Sequence, residues 1–324
     1  MKIDVHAHIV DRTYLEALTG LMGLTTSQGG VGQTLLRHGR STVAWFRDDF
    51  FDPGARIRQM DSQGVDLRIL SLSSPGVTEW PAAEQAAIAR RVNDAVASIC
   101  RAHPDRFRGL ASLPMGDPAA SLAEMERALG LPGMVGLAVG SHVGGMPLND
   151  PSLEPLWAAI DTGRVPVVEH PMTPLGAGHM DEFELPLRVG FVYETTTALA
   201  RMIYGGVFER YPNFPFVVAH TGGALLTVLE RLDNGYRLFP DCRQHISRLP
   251  SEYAKALYYD TCSFYAPTIM QAHAILGADR LLWGADDPFI GADTAHVDSL
   301  PLPAEERAQI LGGNAARLFG IAPR

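Results

Sequence analysis

Cysteine is scarce and unpatterned in this chain. Cys100, Cys242 and Cys262 form no CxxC pair and are odd in number, which argues against a disulfide framework and a cysteine zinc site. A reducing, cytoplasmic compartment is the expectation. No run approaches the ~18 uninterrupted apolar residues that a membrane span needs, so no membrane association is expected. The opening MKIDVHAHIV has no long apolar h-region and no small-residue cleavage site, so no secretory leader is expected. Net positive charge is missing too. The balance is −9, which disfavours a nucleic-acid partner and leaves any anionic substrate to be met by local arginines. The nucleophile elbow GxSxG is absent. GGVGQT, inside LTTSQGGVGQT, lacks the GK[ST] ending of a phosphate loop. Internal repeats and low-complexity tracts are absent as well.

What is present is a long, mildly apolar chain. Its 324 residues, 46% hydrophobic against 19% charged, are enough to bury a large core. Short β-like runs alternate with amphipathic stretches. The runs are Lys2–Val5, Leu67–Leu72, Phe107–Ser112, Met134–Val139, Val165–Glu169, Phe214–Ala219, Leu257–Asp260 and Arg280–Trp283. Helical patterns between them include Pro81–His103, Ala119–Leu129, Leu153–Thr162, Thr195–Arg210, Leu225–Leu238 and Pro267–Leu276. Strand alternating with helix predicts a parallel sheet, and eight units predict an α/β fold closed as a (β/α)8 TIM barrel. An open dinucleotide-binding sheet would want GxGxxG after the first strand, where HAHIV stands. Roughly residues 14–60 are too long for a plain strand-to-helix link and read as a small inserted lid between strands 1 and 2. No domain boundary is visible, so residues 1–324 are read as one barrel domain.

The strand register sorts the eleven histidines. His6 and His8 follow the first run, and their i, i+2 spacing puts both side chains on one face. His170 follows the fifth run, His220 the sixth, and Asp286 lies just past the eighth in WGADDPF. Five polar groups from four strand ends thus converge on the C-terminal face, where barrel enzymes keep their sites. His38, His103, His245, His273 and His296 are left as structural or surface residues. Three imidazoles and a carboxylate suit one Zn²⁺ per chain, with Mn²⁺ or Co²⁺ possible, and leave a position open for water or substrate. Asp287 rivals Asp286, which is preferred by motif position. A second metal bridged by a carboxylated lysine is disfavoured, because only Lys2 and Lys255 exist and neither follows strand four or five.

Taken in order, MKIDVHAHIV, FRDDFFDPGARIRQMDSQGVD, HPDRFRGLASLPM, GGVFERYPNFPFVVAHTGGA, LLWGADDPF and GNAARLFG resemble the amidohydrolase superfamily. Within it they resemble the branch typified by aminocarboxymuconate semialdehyde decarboxylase, and the likeness covers nearly the whole chain. The resemblance implies that His6, His8, His170 and Asp286 are the metal ligands and that His220 activates metal-bound water. It implies that Arg47 and Arg231 hold a substrate carboxylate, that Arg231 comes from the neighbouring subunit of a homodimer, and that Phe289 is a pocket aromatic. Arg231 stands eleven positions after His220. If most of that span is helix, it lies roughly 10–15 Å down the outside of the barrel, beyond reach of its own site. The loop HPMTPLGAGHMDEFELPL departs from the family, with Met172, Glu184 and Leu187 in place of the founding enzyme's tryptophans, and AHGGG has become AHTGG. His179 in this loop is unmatched and reads as an exposed loop residue.

The implied activity is metal-dependent non-oxidative decarboxylation of an aromatic or muconate-like acid, through metal-bound water or a metal-bound substrate oxygen. The implied partner is a small-molecule carboxylate. The alternatives are a hydrolase or hydratase using the same water, and, more remotely, a non-catalytic ligand-binding barrel. The intact set of four ligands plus His220 stands against the last.

Overall fold

Short runs rich in Val, Ile and Leu, punctuated by capped helices, produce eight parallel strands in sequential order in a computed structural model of the chain. It describes residues 1–9, 11–21, 23–180 and 182–322. The strands are β1 (Ile3–Ile9), β2 (Leu67–Leu72), β3 (Phe107–Ser112), β4 (Met134–Gly140), β5 (Val167–His170), β6 (Phe216–Val218), β7 (Tyr258–Asp260) and β8 (Leu281–Leu282). The sheet closes on itself. Val5 N donates to Trp283 O at 3.1 Å, and past the end of β8 the His8 N–H reaches Asp287 O at 2.6 Å. The (β/α)8 expectation is met.

Helix boundaries follow local chemistry. Asp117 caps Pro118–Leu129 by accepting from Ala119 N and Ala120 N, with Pro118 at the first helical position. Asp52 caps Pro53–Gln63, and Gly64, at φ 64°, ends it in the left-handed conformation a side chain would resist. The stretch read as one helix over Leu225–Leu238 starts later. Leu225–Thr227 is a 3₁₀ turn, and the α-helix runs from Leu229 to Leu238. Arg231 therefore sits in the helix's first turn, and the long helical descent assumed for it does not occur.

Period-two alternation divides the barrel wall. Ile3, Val5, Leu67, Ile69, Leu110, Val168, Val217 and Leu282 pack inside the barrel, closed at the bottom by Ala315 and Phe319 of the helix Asn314–Phe319. Ala7, Leu70, Val167, Phe216, Val218 and Trp283 face the outer helices. In β1 the parity changes midway, because a bulge shifts the register between Asp4 and Ala7. Ile3 and Val5 face inward below the bulge, and His6 and His8 face inward above it.

The insertion between β1 and β2 is better ordered than a loop. It holds the helix Arg12–Leu21 and a three-stranded antiparallel sheet, Thr25–Gln28, Thr34–His38 and Ser41–Phe46. GGVGQT is the hairpin turn between its first two strands, with Gly29 N bonded to Gln33 O at 2.8 Å. Cys100, Cys242 and Cys262 are all unpaired. No helix among the described residues is long and apolar enough to cross a membrane.

Candidate active site

Strand ends bring five of the anticipated side chains together. The His6 and His8 rings lie 5.0 Å apart, His6 and His170 5.2 Å, His8 and His170 4.8 Å, and His6 and His220 5.1 Å, centroid to centroid. His6 and His8 belong to β1 itself, and His170 is the last residue of β5, so these three are held by ladder hydrogen bonds rather than by loops. Asp286 Oδ1 lies 3.4 Å from His8 Nε2 and 3.7 Å from His6 Nε2. Asp287 points the other way, into ion pairs with Arg56 and Arg68 on the outer side of the wall. Geometry therefore separates the two carboxylates that sequence alone left as rivals. His220, Thr221 and Asp286 all adopt positive φ, 52°, 55° and 50°. Such strain in non-glycine residues survives only where the surroundings over-determine it.

Hydrogen bonds fix the ring tautomers. His6 Nδ1 lies 2.6 Å from Asp260 Oδ2, and a carboxylate only accepts, so the proton is on Nδ1. His170 Nδ1 likewise faces the Pro171 carbonyl at 2.9 Å. His8 Nδ1 faces Ser71 Oγ at 3.1 Å, and that hydroxyl spends its own proton on Ala7 O at 3.3 Å. Each ring thus donates from Nδ1 and turns its Nε2 into the cup, where a metal ion would take the place of any proton that Nε2 carries. Nε2 of His6 and of His8 is buried with no hydrogen-bond partner, a costly state for a polar atom. One ligand atom each from His6, His8 and His170 falls within 4.8 Å of the others, and the same holds for His6, His220 and Asp286. Unpartnered imidazole nitrogens beside a carboxylate are the donor set of a divalent metal site. Gly284 makes room for it, since a Cβ there would lie 2.8 Å from His6 Cβ and 2.5 Å from Cys262 Sγ.

The charge states of the cup follow from burial and from its own members. Burial opposes protonation of His6, but Asp260 and then Asp286 overcome it and push its pKa up to about 9. Burial lowers His8 and takes His170 well below the ordinary histidine value, with the neighbouring imidazoles adding to the effect on His170. Burial and then the charge on His6 bring His220 down to about 4. Burial works against the charge on Asp286, yet the surrounding histidines hold its carboxyl well below the usual range.

Above the cup opens a cleft of about 580 Å³, including space open to solvent. Its apolar walls are Val43, Ala44 and Trp45 from the inserted sheet, Phe289 with its ring 6.2 Å from that of Trp45, and Leu187 and Phe191, and His170, His220 and Asp286 reach it from the cup. Phe289 is a pocket aromatic by position, 5.5 Å from the His8 ring. The two arginines assigned to the substrate are elsewhere. Arg47 is half-exposed, does not line the cleft, and is held in a two-point pair with Asp49 at 3.0 and 2.9 Å. Arg231 is exposed and makes no side-chain hydrogen bond or ion pair among the described residues. Its same-helix candidates are taken, Glu230 by Arg237 and Asp233 by Ser251. His179 is exposed, as read.

Sequence reasoning missed three participants. Asp260 is buried at the end of β7, binds His6, and accepts from Thr221 N at 2.8 Å and Cys262 N at 2.9 Å. The signal was available, because Tyr258 faces inward and alternation then turns Asp260 inward as well. His142 was passed over. It is buried, with Nε2 3.0 Å from Thr173 O, and anchors the loop after β5. Arg188 lines the cleft, and nothing in the local pattern marked it.

A family model described as Amidohydrolase matches residues 3–321. The 2-amino-3-carboxymuconate-6-semialdehyde decarboxylase of Dictyostelium discoideum is 30% identical, over 100% of this chain and 92% of its own length. The gamma-resorcylate decarboxylase of Rhizobium radiobacter is 32% identical over 83% of this chain and 87% of its own. Among solved structures, 5-carboxyvanillate decarboxylase from Sphingomonas paucimobilis superposes with a TM-score of 0.85 at 26% identity, covering 99% of both chains. A dihydroxybenzoic acid decarboxylase from Polaromonas, solved with manganese and the inhibitor 2-nitroresorcinol, gives 0.83 at 25% identity over 100% and 98%. With a family match spanning nearly every residue and a full-length relative at 30% identity, the chain belongs to the amidohydrolase family, among relatives named as carboxy-lyases.

Proposed function

We propose that this protein is a metal-dependent, non-oxidative decarboxylase of an aromatic carboxylic acid. The observation that carries the reading is the cup itself, with unpartnered imidazole nitrogens and Asp286 at the floor of a cleft lined by Trp45, Phe191 and Phe289. His6, His8, His170 and Asp286 would hold one divalent ion. The donor set suits zinc, with manganese and cobalt as rivals. When bound, that ion supplies a Lewis acid near the carbon losing CO₂.

The chain's own residues do the rest. Phe289, Trp45 and Phe191 line the space for an aromatic ring and exclude water from it. Decarboxylation breaks one C–C bond, leaves its electron pair on the ring carbon, and requires one proton there. His220 is neutral at pH 7, so its buried, unpartnered Nδ1 accepts a proton from water or a substrate hydroxyl and returns it to that carbon as CO₂ departs. Asp286 stays ionised throughout. The three free thiols fit a reducing cytoplasm.

Screening hydroxybenzoates and related acids for CO₂ release by the metal-loaded protein tests the reading. Stoichiometric CO₂ with a ring-protonated product supports it. Hydration or hydrolysis of the same acids without CO₂ overturns it. Arg231, exposed and unpartnered, is read as serving the neighbouring site of a homodimer. Mixed Arg231→Ala and His220→Ala chains should then recover part of the activity that each lacks alone. No recovery despite verified subunit exchange would rule the shared site out.

A further inference from the structure

The cleft has an arginine of its own, and it is not one of the two assigned to the substrate. Arg188 lines the cavity with His170, His220 and Phe289. It is exposed and makes no side-chain hydrogen bond or ion pair among the described residues. Among the described residues, the two glutamates before it on the same segment are committed. Glu182 pairs with Arg40, and Glu184 accepts from Thr42 N at 3.1 Å and Thr42 Oγ1 at 2.9 Å. Arg47 is committed as well, to Asp49. Arg188 is the cleft-lining cation left with a free guanidinium.

Its placement is built. Arg188 lies in a π-helical turn, Pro186–Gly190, that opens the helix Phe191–Tyr204. Such widened turns are uncommon and concentrate at functional sites. Phe183 and Glu184 enter the turn at φ 59° and 55°, a left-handed conformation that non-glycine residues hold only when tied down. The tie is the Glu184–Thr42 pair, which joins the loop after β5 to the inserted sheet that also lines the cleft. The segment therefore holds one position relative to Trp45, and Arg188 stands at the solvent end of a cavity whose other end is the cup.

We infer that Arg188 selects substrates that carry a second anionic group on the ring, remote from the carboxylate being lost, and pairs with that group through its two-point donor fork. The inference rests on the decarboxylase reading for the identity of the reacting carboxylate. The apolar walls between cup and Arg188 match a flat ring, and a planar guanidinium matches a carboxylate at its far edge.

The experiment reads binding, without turnover. Calorimetry on metal-loaded wild-type protein compares benzoate with benzene-1,3- and benzene-1,4-dicarboxylate, then repeats the series on Arg188→Met and Arg188→Lys. Wild type should bind the better dicarboxylate about tenfold or more tightly than benzoate, the size of one charge-assisted pair. Arg188→Met should lose that preference and leave benzoate unchanged, and Arg188→Lys should keep part of it. Equal affinity for benzoate and both dicarboxylates in wild type, or an equal loss for all three ligands in Arg188→Met, overturns the inference. Failure of every acid to yield CO₂ would sink the decarboxylase reading alone, since the binding preference is measured independently.

Discussion

The two faces of one barrel wall use the same residue types for opposite ends. On the inner face, His6, His8 and His220 each leave a ring nitrogen buried without a hydrogen-bond partner. On the outer face, Asp4, Arg68, Asp287 and Arg56 form a closed ionic cluster. Arg68 Nη1 lies 2.9 Å from Asp287 Oδ1 and its Nε 3.3 Å from Asp4 Oδ2, while Arg56 pairs with Asp287 and donates to His8 O at 2.7 Å. Adjacent residues fall on different faces, as with Asp286 and Asp287, and with His170 and Glu169. The outer cluster's groups answer one another and serve stability. The cup's groups are left for a ligand, and strained backbone holds them in place. Substitutions on the two faces should therefore separate function from folding.

The largest expected effect is on rate, from the inner face. His220→Ala should keep the metal and the fold yet lose on the order of 10²–10⁴-fold in turnover. Metal analysis beside steady-state kinetics checks this. A variant that loses its metal would make His220 a ligand, as its grouping with His6 and Asp286 also permits.

Next comes the outer face. Asp287→Ala removes the carboxylate shared by the Arg56 and Arg68 guanidiniums, whose side chains are 6% and 0% exposed. Removing one partner of a buried cluster costs about 3–5 kcal/mol, read as a fall in denaturation midpoint. The folded fraction should still bind metal. A midpoint within about 0.5 kcal/mol of wild type would show that the cluster is not the wall's support.

Much of this division was legible in the sequence, and its gaps have physical causes. Strand patterning located β2 and β3 to the residue, because their apolar runs end in turn-forming residues. His6, His8, His170, His220 and Asp286 were found because strand ends place them on one face. The bulge in β1 was invisible, since it arises from register against β2 and leaves no composition signal. Asp260 was read as the last strand residue rather than as an inward carboxylate. The inserted sheet was read as a lid of unspecified form, because its short strands pair by long-range contacts. Arg188 was unreadable, because a π-turn depends on Glu184 finding Thr42, 142 positions away in sequence.

A smaller effect lies at the join of the two faces. Asp260→Asn keeps an oxygen for Thr221 N and Cys262 N but replaces the carboxylate that sets the His6 tautomer. Outer partners of this kind are worth about 10–100-fold in metal affinity. Competition with a chelator should show that loss. Unaltered metal affinity would mean that His6 is oriented by packing against Gly284 instead.

The smallest effect concerns Glu169, the outward neighbour of His170. It is fully buried and receives Thr195 Oγ1 at 2.9 Å and Ala219 N at 3.4 Å. Burial, outweighing those two hydrogen bonds, pushes its pKa up to about 8. A carboxyl whose pKa is higher folded than unfolded contributes stability that is complete below its unfolded value, 4.5, and is lost as pH rises through the folded value. Glu169→Gln replaces a protonated acid with a neutral group of similar shape, so at pH 5 the two metal-free proteins should differ by about 1 kcal/mol or less. Between pH 5 and pH 8 the wild type alone loses stability, because its unfolded state ionises while the buried carboxyl stays protonated, and the variant should become the more stable of the two. Urea titrations at pH 5, 6, 7, 8 and 9 trace the crossing. If Glu169→Gln is strongly destabilised at pH 5 already, the ionised carboxylate is the form that supports β5, and the outer face holds an unpaired charge beside the cup.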